Sequence, residues 1–219
     1  MTSESRFLDS GIVTRELAQM IAPSRTALLV IDAQVDFLSP SGVAALGGAD
    51  VRSCEPALEQ VRSLVGAARK SGVTLAFARV VTRPQTDSKS LKNFHARKGH
   101  PAESLAICRA GTPGADYYRV SPQAGDIEIE KPLYSSFVGT DLDARLRARG
   151  VDTLVVAGFT TDCCVDSTVR DAFHRDYDVF VVADACASYE KALHDNVLDA
   201  LSRHCALLTE THTVLKAWS

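Results

Sequence analysis

The chain has 219 residues, of which 46% are hydrophobic and 23% charged, an ordinary globular mixture with enough apolar material for a sizeable core. Its formal net charge of -3 argues against a nucleic-acid-binding protein, which normally carries a basic excess or a basic stripe. No apolar run is long enough to cross a bilayer, and residues 1–23 lack the apolar core of a signal peptide. We therefore expect a cytoplasmic protein without nucleic-acid or membrane partners.

Short apolar runs alternate in chain order with segments of helical spacing. The predicted strands are 26–31, 74–81, 127–129, 154–157, 179–182 and 206–209. The predicted helices are 51–71, 142–150, 165–175 and 190–203. Strands that are apolar on both faces and alternate with helices predict a parallel sheet covered on both sides. The predicted fold is therefore α/β, a three-layer, doubly wound, Rossmann-like arrangement with a mostly parallel six-stranded sheet.

A predicted N-terminal arm, residues 1–25, precedes a single predicted domain over residues 26–219. The arm carries apolar residues on a roughly helical spacing: Ile12, Val13, Leu17, Met20 and Ile21. Such an arm could pack across a neighbouring subunit or fold back on its own domain, and both alternatives stay open.

The segment 83–123 is irregular, with several glycines, prolines and charges. A long irregular insertion is often a lid or substrate loop, and a solvated surface excursion is the equal alternative. Its basic residues could hold a substrate carboxylate or face water; they include Lys92, Arg97, Lys98 and Arg119.

Three reactive side chains lie at or just after predicted strand ends. Asp32 directly follows the first strand, Lys131 follows the third, and Cys164 follows the fourth across a short turn. In an open parallel sheet the carboxyl ends of the strands meet at one edge, where ligands bind. We therefore expect the three side chains to converge there.

Their chemistry suits acyl transfer. A cysteine at a helix start has its thiolate stabilised by the helix dipole, and an ammonium from Lys131 would lower the pKa of the Cys164 thiol further. A carboxylate such as Asp32 can take the thiol proton and return it to a leaving amine. Each residue also has a purely structural alternative. Cys164 could be a buried cysteine like most cysteines of a cytosolic chain, Asp32 could stabilise a turn, and Lys131 could be a solvated lysine.

Three motifs surround these residues: V-I-D-A-Q-V-D-F (30–37), E-K-P-L-Y-S-S-F (130–137) and G-F-T-T-D-C-C-V-D-S-T-V-R-D-A (158–172). With them, the chain resembles the isochorismatase-like cysteine hydrolase family from about residue 26 to 215. The family pattern G-x-x-T-x-x-C-V-x-x-T-x-R-x-A selects Cys164 rather than Cys163 as the nucleophile. The family's catalytic aspartate and lysine fall on Asp32 and Lys131.

The resemblance implies further features of the site. A cis peptide bond is expected between Phe159 and Thr160, and the backbone amides of Thr160 and Cys164 are expected to form the oxyanion hole. The residues expected to wall the substrate pocket are Gln34, Phe37 and Tyr134. The resemblance also implies a small-molecule substrate, no cofactor, and a homo-oligomer, either a dimer or a tetramer.

The implied reaction is hydrolysis of an amide or ureido C–N bond through a thioester. The segment K-N-F-H-A-R-K-G (92–99) is similar to the ureidoacrylate and N-carbamoyl amidohydrolases. The Asp-x-His metal element of nicotinamidases is absent from 79–84, so we expect no metal, with His95 and His100 as surface residues. Two alternatives stay open: isochorismatase-type vinyl-ether hydrolysis, which needs no thiolate, and a non-catalytic or thiol-redox member of the fold.

Overall fold

The computed structural model describes residues 13–101 and 106–219. Six strands form one sheet in the order β3-β2-β1-β4-β5-β6, and all neighbouring pairs are parallel. The strands are β1 Thr26–Ile31, β2 Thr74–Val80, β3 Ile127–Lys131, β4 Thr153–Phe159, β5 Asp178–Ala187 and β6 Leu207–Thr209. The predicted α/β fold with a six-stranded parallel sheet is confirmed.

The helices cover both faces of the sheet. Those in the described residues are α1 Val13–Met20, α2 Val35–Leu38, α3 Val43–Leu46, α4 Glu55–Ser71, α5 Lys89–Arg97, α6 Leu142–Arg147, α7 Asp166–Phe173, α8 Lys191–His204 and α9 Thr211–Ala217. Apolar side chains of α1, α4 and α9 form one core with one face of the sheet, and those of α6, α7 and α8 form a second core with the other. The two cores give the three-layer arrangement its stability, because burial removes apolar surface from water on both sides of the sheet.

The central strands β1 and β4 are buried along their whole length, as their apolar sequences T-A-L-L-V-I and T-L-V-V-A-G-F require. The chain leaves β1 towards β2 and β3 on one side and then crosses to β4 on the other. A crevice therefore opens at the carboxyl ends of β1 and β4, the position where doubly wound sheets bind ligands.

Gly158 allows β4 to approach β1 closely at this crevice. Its φ angle is 135°, and a Cβ atom at this position would lie 2.2 Å from the carbonyl oxygen of Ile31. Only glycine fits here, because any side chain would collide with the backbone of the neighbouring strand.

Two elements differ from the sequence-based expectation. Strand β3 continues to Lys131 instead of stopping at residue 129, and its inward face carries Ile127, Ile129 and Lys131. The alternation I-E-I-E-K accounts for this, because residues two apart in a strand share a face. After β4, the chain forms a single π-helical turn, Thr161–Val165, before α7 begins. An isolated π-helical turn is often found at a functional site.

Helix α1 folds back on its own chain. Leu17 and Ile21 are fully buried, and the indole Nε1 of Trp218 donates a hydrogen bond to the Ile21 carbonyl at 3.0 Å. Of the apolar residues predicted for the arm, Ile12 lies outside the described residues. The division of the chain into an arm and a domain stays a prediction. No helix within 13–101 or 106–219 has the length and apolarity to cross a membrane.

Candidate active site

Asp32, Lys131 and Cys164 meet at the carboxyl edge of the sheet. The Nζ atom of Lys131 donates a hydrogen bond to Asp32 Oδ2 at 2.8 Å, and both side chains are fully buried. The Cys164 side chain interacts electrostatically with both Asp32 and Lys131 and faces the cavity described below. The structure therefore brings together the three residues that the sequence scattered over 133 positions, from 32 to 164 inclusive.

The backbone at the end of β1 holds the Asp32 carboxylate in place. Asp32 has a φ angle of 51°, in the left-handed region that a non-glycine residue adopts only when its surroundings enforce it. Its amide donates to the Ala78 carbonyl at 2.8 Å, and its carbonyl accepts from Gln34 N at 2.8 Å. The second carboxylate oxygen, Oδ1, accepts from the Val80 amide at 3.0 Å. These bonds leave the carboxylate one orientation, with Oδ2 towards Lys131.

Burial and the mutual attraction of Asp32 and Lys131 shift the pKa values of both side chains. Desolvation raises the pKa of Asp32 above the ordinary carboxyl value, although Lys131 and Cys164 lower it in part. Burial disfavours the charge of Lys131, yet the neighbouring Asp32 carboxylate raises the pKa of that ammonium overall. An aspartate with a raised pKa is a stronger base than one in water, which suits it to accept a thiol proton.

The thiol of Cys164 differs from the sequence-based expectation. Its pKa is raised well above the ordinary value, first by the hydrogen bond with Cys163 and then by burial. The same hydrogen bond lowers the pKa of Cys163. The structure thus gives no support to the expected lowering at Cys164. The hydrogen bond with Cys163, burial and the Asp32 carboxylate raise the pKa of this thiol, and the Lys131 charge lowers it only in part. A thiol with a raised pKa needs a base to become a nucleophile.

The cavity beside Cys164 has a volume of about 240 Å³. Two of the three residues predicted for the pocket wall, Phe37 and Tyr134, line it. Its described lining consists of Phe37, Val80, Thr82, Asp87, Ser88, Leu91, His95, Ile107, Pro132, Leu133, Tyr134, Thr160, Cys163 and Cys164. The peptide bond between Phe159 and Thr160 at its base is cis, as the resemblance implied.

Gln34, the third residue predicted for the pocket wall, is not in that lining. Its side chain is fully buried, and its Nε2 donates to the carbonyls of Val80 at 2.8 Å and Ala115 at 2.9 Å. Its Oε1 accepts from the Val80 amide at 2.8 Å. The amide group thus fastens the end of β1 to β2 and to the segment 83–123.

Much of one cavity wall comes from the segment 83–123. Asp87, Ser88, Leu91, His95 and Ile107 belong to it, and α5 makes part of it regular. His95 therefore lines the cavity while staying partly exposed, and its Nδ1 lies 3.3 Å from Nδ1 of the exposed His100. The basic residues named for this segment, Lys92, Arg97, Lys98 and Arg119, are not in the lining.

Two residues of the longest motif fasten the loop after β3 to the helix after Cys164. The Ser135 hydroxyl donates to Asp171 Oδ2 at 2.5 Å, and the Ser136 amide donates to Thr168 Oγ1 at 3.0 Å. This loop also supplies the Leu133 carbonyl, which accepts from Lys131 Nζ at 3.1 Å. The contacts of Ser135 with Asp171 and of Ser136 with Thr168 were not predicted from the sequence, although Thr168 is one of the residues that the family pattern specifies.

Metal binding finds no support in the described residues, because no group of three or more His, Cys, Asp or Glu side chains there is placed to hold an ion. The expectation of a site without metal or cofactor stays a prediction.

Comparisons with known proteins show which proteins the chain is similar to. The chain is 35% identical over 187 residues to the ureidoacrylate amidohydrolase RutB of Methylobacterium radiotolerans, covering 80% of this chain and 72% of that protein. A cysteine hydrolase from Pseudomonas syringae pv. phaseolicola superposes with a TM-score of 0.81 at 27% identity, covering 91% of this chain and 94% of that one.

An N-carbamoylsarcosine amidase from Thermoplasma acidophilum superposes with a TM-score of 0.68 at 26% identity, covering 85% of this chain and 96% of that one. The isochorismatase domain family matches residues 26–213. Because this match spans most of the sequence and every strand of the sheet, the chain belongs to the isochorismatase family.

Proposed function

We propose that the chain is an amidohydrolase that cleaves a C–N amide or ureido bond of a small molecule, with Cys164 as the nucleophile. The observation that carries the proposal is the fully buried Asp32–Lys131 pair, which interacts electrostatically with Cys164 at the base of the cavity. The names of the amidohydrolases to which the chain is similar support the same bond type.

The first half of the reaction forms a thioester. Asp32 accepts the proton of the Cys164 thiol, and the sulfur attacks the substrate carbonyl. The backbone amides of Thr160 and Cys164 stabilise the oxyanion that develops. Asp32 then gives its proton to the departing amine, so that the C–N bond breaks and the acyl group stays on sulfur.

The second half releases the acid. Asp32 takes a proton from a water molecule that attacks the thioester, and the thiolate leaves and recovers a proton from Asp32. Lys131 stays charged throughout and stabilises the carboxylate whenever it is ionised. The raised pKa of Asp32 supports this shuttle, because one group must both take and return the proton near neutral pH.

Ammonia release from ureidoacrylate, N-carbamoylsarcosine, biuret, maleamate and nicotinamide tests the proposal. We expect at least one compound to be hydrolysed by the native chain and by Cys163→Ala, but not by Cys164→Ala. Cys163 is a matched control because it is the adjacent thiol and lines the same cavity. Amide hydrolysis that survives in Cys164→Ala would refute the scheme. Cleavage of isochorismate by Cys164→Ala would instead identify vinyl-ether chemistry.

The assembly and the compartment are separate proposals. By resemblance we infer a cytoplasmic dimer or tetramer. Light scattering coupled to size-exclusion chromatography should give a mass of two or four chains of 23.5 kDa. A mass of a single chain at micromolar concentration would contradict the proposed assembly.

A further inference from the structure

The walls of the cavity carry no lysine or arginine in the part of the chain that the structure describes. A negatively charged substrate would therefore have to find its counter-charge at the imidazole of His95 or among groups that are already paired.

Asp87 is the acidic residue of the lining, and it is already neutralised. Its carboxylate accepts bonds of 2.9 and 3.1 Å from Nη1 of Arg109 and a third bond from the Arg83 amide at 3.1 Å. The Asp87 side chain is only 7% exposed, so this pair is largely withdrawn from water. The guanidinium of Arg109 thus forms an ion pair with Asp87 and does not itself line the cavity.

Lys131 lies beneath the floor of the cavity but offers a substrate no free charge. Its Nζ atom donates to Asp32 at 2.8 Å and to the Leu133 carbonyl at 3.1 Å, and the side chain is fully buried. The ammonium is balanced by the Asp32 carboxylate. When the thiol proton moves to Asp32, the negative charge moves to the sulfur and then to the oxyanion, both of which lie beside the substrate.

The remaining walls are mainly apolar, with Val80, Leu91, Ile107 and Leu133 among them. Burying a carboxylate against such walls without a cation costs several kcal/mol, and repulsion from the reacting sulfur adds to that cost. Ser88 and Tyr134 can contribute hydroxyl groups for a neutral polar atom.

From these observations we propose that the substrate is uncharged: a small primary amide or carbamoyl compound whose group beyond the scissile carbonyl is apolar. This inference rests on the proposed amidohydrolase function. It separates the chain from the similar ureidoacrylate amidohydrolases, whose named substrate carries a carboxylate.

Matched substrates of equal shape test the inference. Succinamate and 4-methylpentanamide differ only in a carboxylate against an isopropyl group, and 3-ureidopropionate and 3-methylbutylurea form a second such pair. We expect kcat/KM, measured by ammonia release, to favour the uncharged member of each pair by about tenfold or more, which corresponds to only about 1.4 kcal/mol. A preference of the native chain for the anionic members would overturn the inference. If His95→Gln then abolished this preference for anions, the imidazole of His95 would be identified as the counter-charge.

A charge placed in the wall gives a second, independent readout. Leu91→Lys should raise kcat/KM for the anionic member of each pair relative to the uncharged one, whereas Leu91→Met, similar in size but uncharged, should keep the native order. An unchanged order in Leu91→Lys would show that the wall does not set the charge preference.

Binding separates the two proposals. Calorimetry with Cys164→Ala should show tighter binding of the uncharged member of each pair, even if none of the four compounds is turned over. Absence of Cys164-dependent turnover on any amide would count against the amidohydrolase function, whereas tighter binding of the anions would count against the charge inference alone.

Discussion

At the scale of single residues, the raised pKa of Asp32 sets the pH dependence. The base form of Asp32 must be present for the first proton transfer, so kcat/KM should rise as the pH passes upward through the pKa of Asp32. Because burial raises that pKa, the acidic limb should lie above about 3.9, the ordinary aspartate value. A limb at or below that value would contradict the assignment.

Lys131 provides the matching test of the charge pair. Its charge lowers the pKa of Asp32 against the effect of burial. Lys131→Met should therefore move the acidic limb to higher pH and reduce kcat/KM, as followed by a pH profile. Lys70→Met, which removes an exposed lysine from α4, should leave the profile in place.

Removal of the base itself should have a larger effect. Asp32→Asn keeps the shape of the side chain but not its proton affinity, so kcat should fall by about 10²- to 10⁴-fold. Asp50→Asn, a carboxylate near the surface, should be close to native in the same assay. Circular dichroism establishes that both variants are folded, and near-native turnover by Asp32→Asn would remove this residue from the mechanism.

At the scale of elements, the contact between β1 and β4 should be sensitive to a single methyl group. Gly158→Ala places a Cβ atom 2.2 Å from the Ile31 carbonyl oxygen and forces a side chain into a φ angle of 135°. We expect a loss of at least about 1–3 kcal/mol in the free energy of unfolding, measured in urea.

Gly66 provides the opposite case within the same protein. It lies inside α4, and an added Cβ atom would meet nothing within 4 Å. Gly66→Ala should therefore stabilise the protein by about 0.5–1 kcal/mol, because alanine loses less entropy than glycine in a helix. Equal effects of the two substitutions would show that backbone contact at the crevice is not what requires Gly158.

At the scale of the whole molecule, α1 closes one face of the domain through Trp218. Trp218→Phe removes the hydrogen bond to the Ile21 carbonyl but retains most of the apolar ring, so it should cost about 1–3 kcal/mol. Trp218→Ala also leaves a cavity and should cost about 3–5 kcal/mol. Urea denaturation measures both, and a native-like Trp218→Ala protein would show that this contact contributes nothing to stability.

The order of strands and helices could be predicted because it depends on local periodicity. Runs such as T-A-L-L-V-I are apolar at every position, which marks a strand buried on both faces wherever it lies in the sheet. The short edge strand β3 was harder, since I-E-I-E-K alternates and ends in a lysine. Its buried end is stabilised by a partner that lies far away in the sequence.

By itself, the sequence determined the α/β architecture, the edge of the sheet that carries the chemistry, and Cys164 as the motif cysteine, because periodicity and motif spacing are properties of neighbouring residues. Only the tertiary structure decided which groups the site residues contact. Lys131 and Asp32 pair across 99 positions, and Gln34 bonds to the backbone 46 positions away instead of lining the cavity. The direction of the Cys164 pKa depends on which groups burial brings together. So does the lack of lysine and arginine in the cavity wall that the described residues of 83–123 contribute, and no local pattern encodes either.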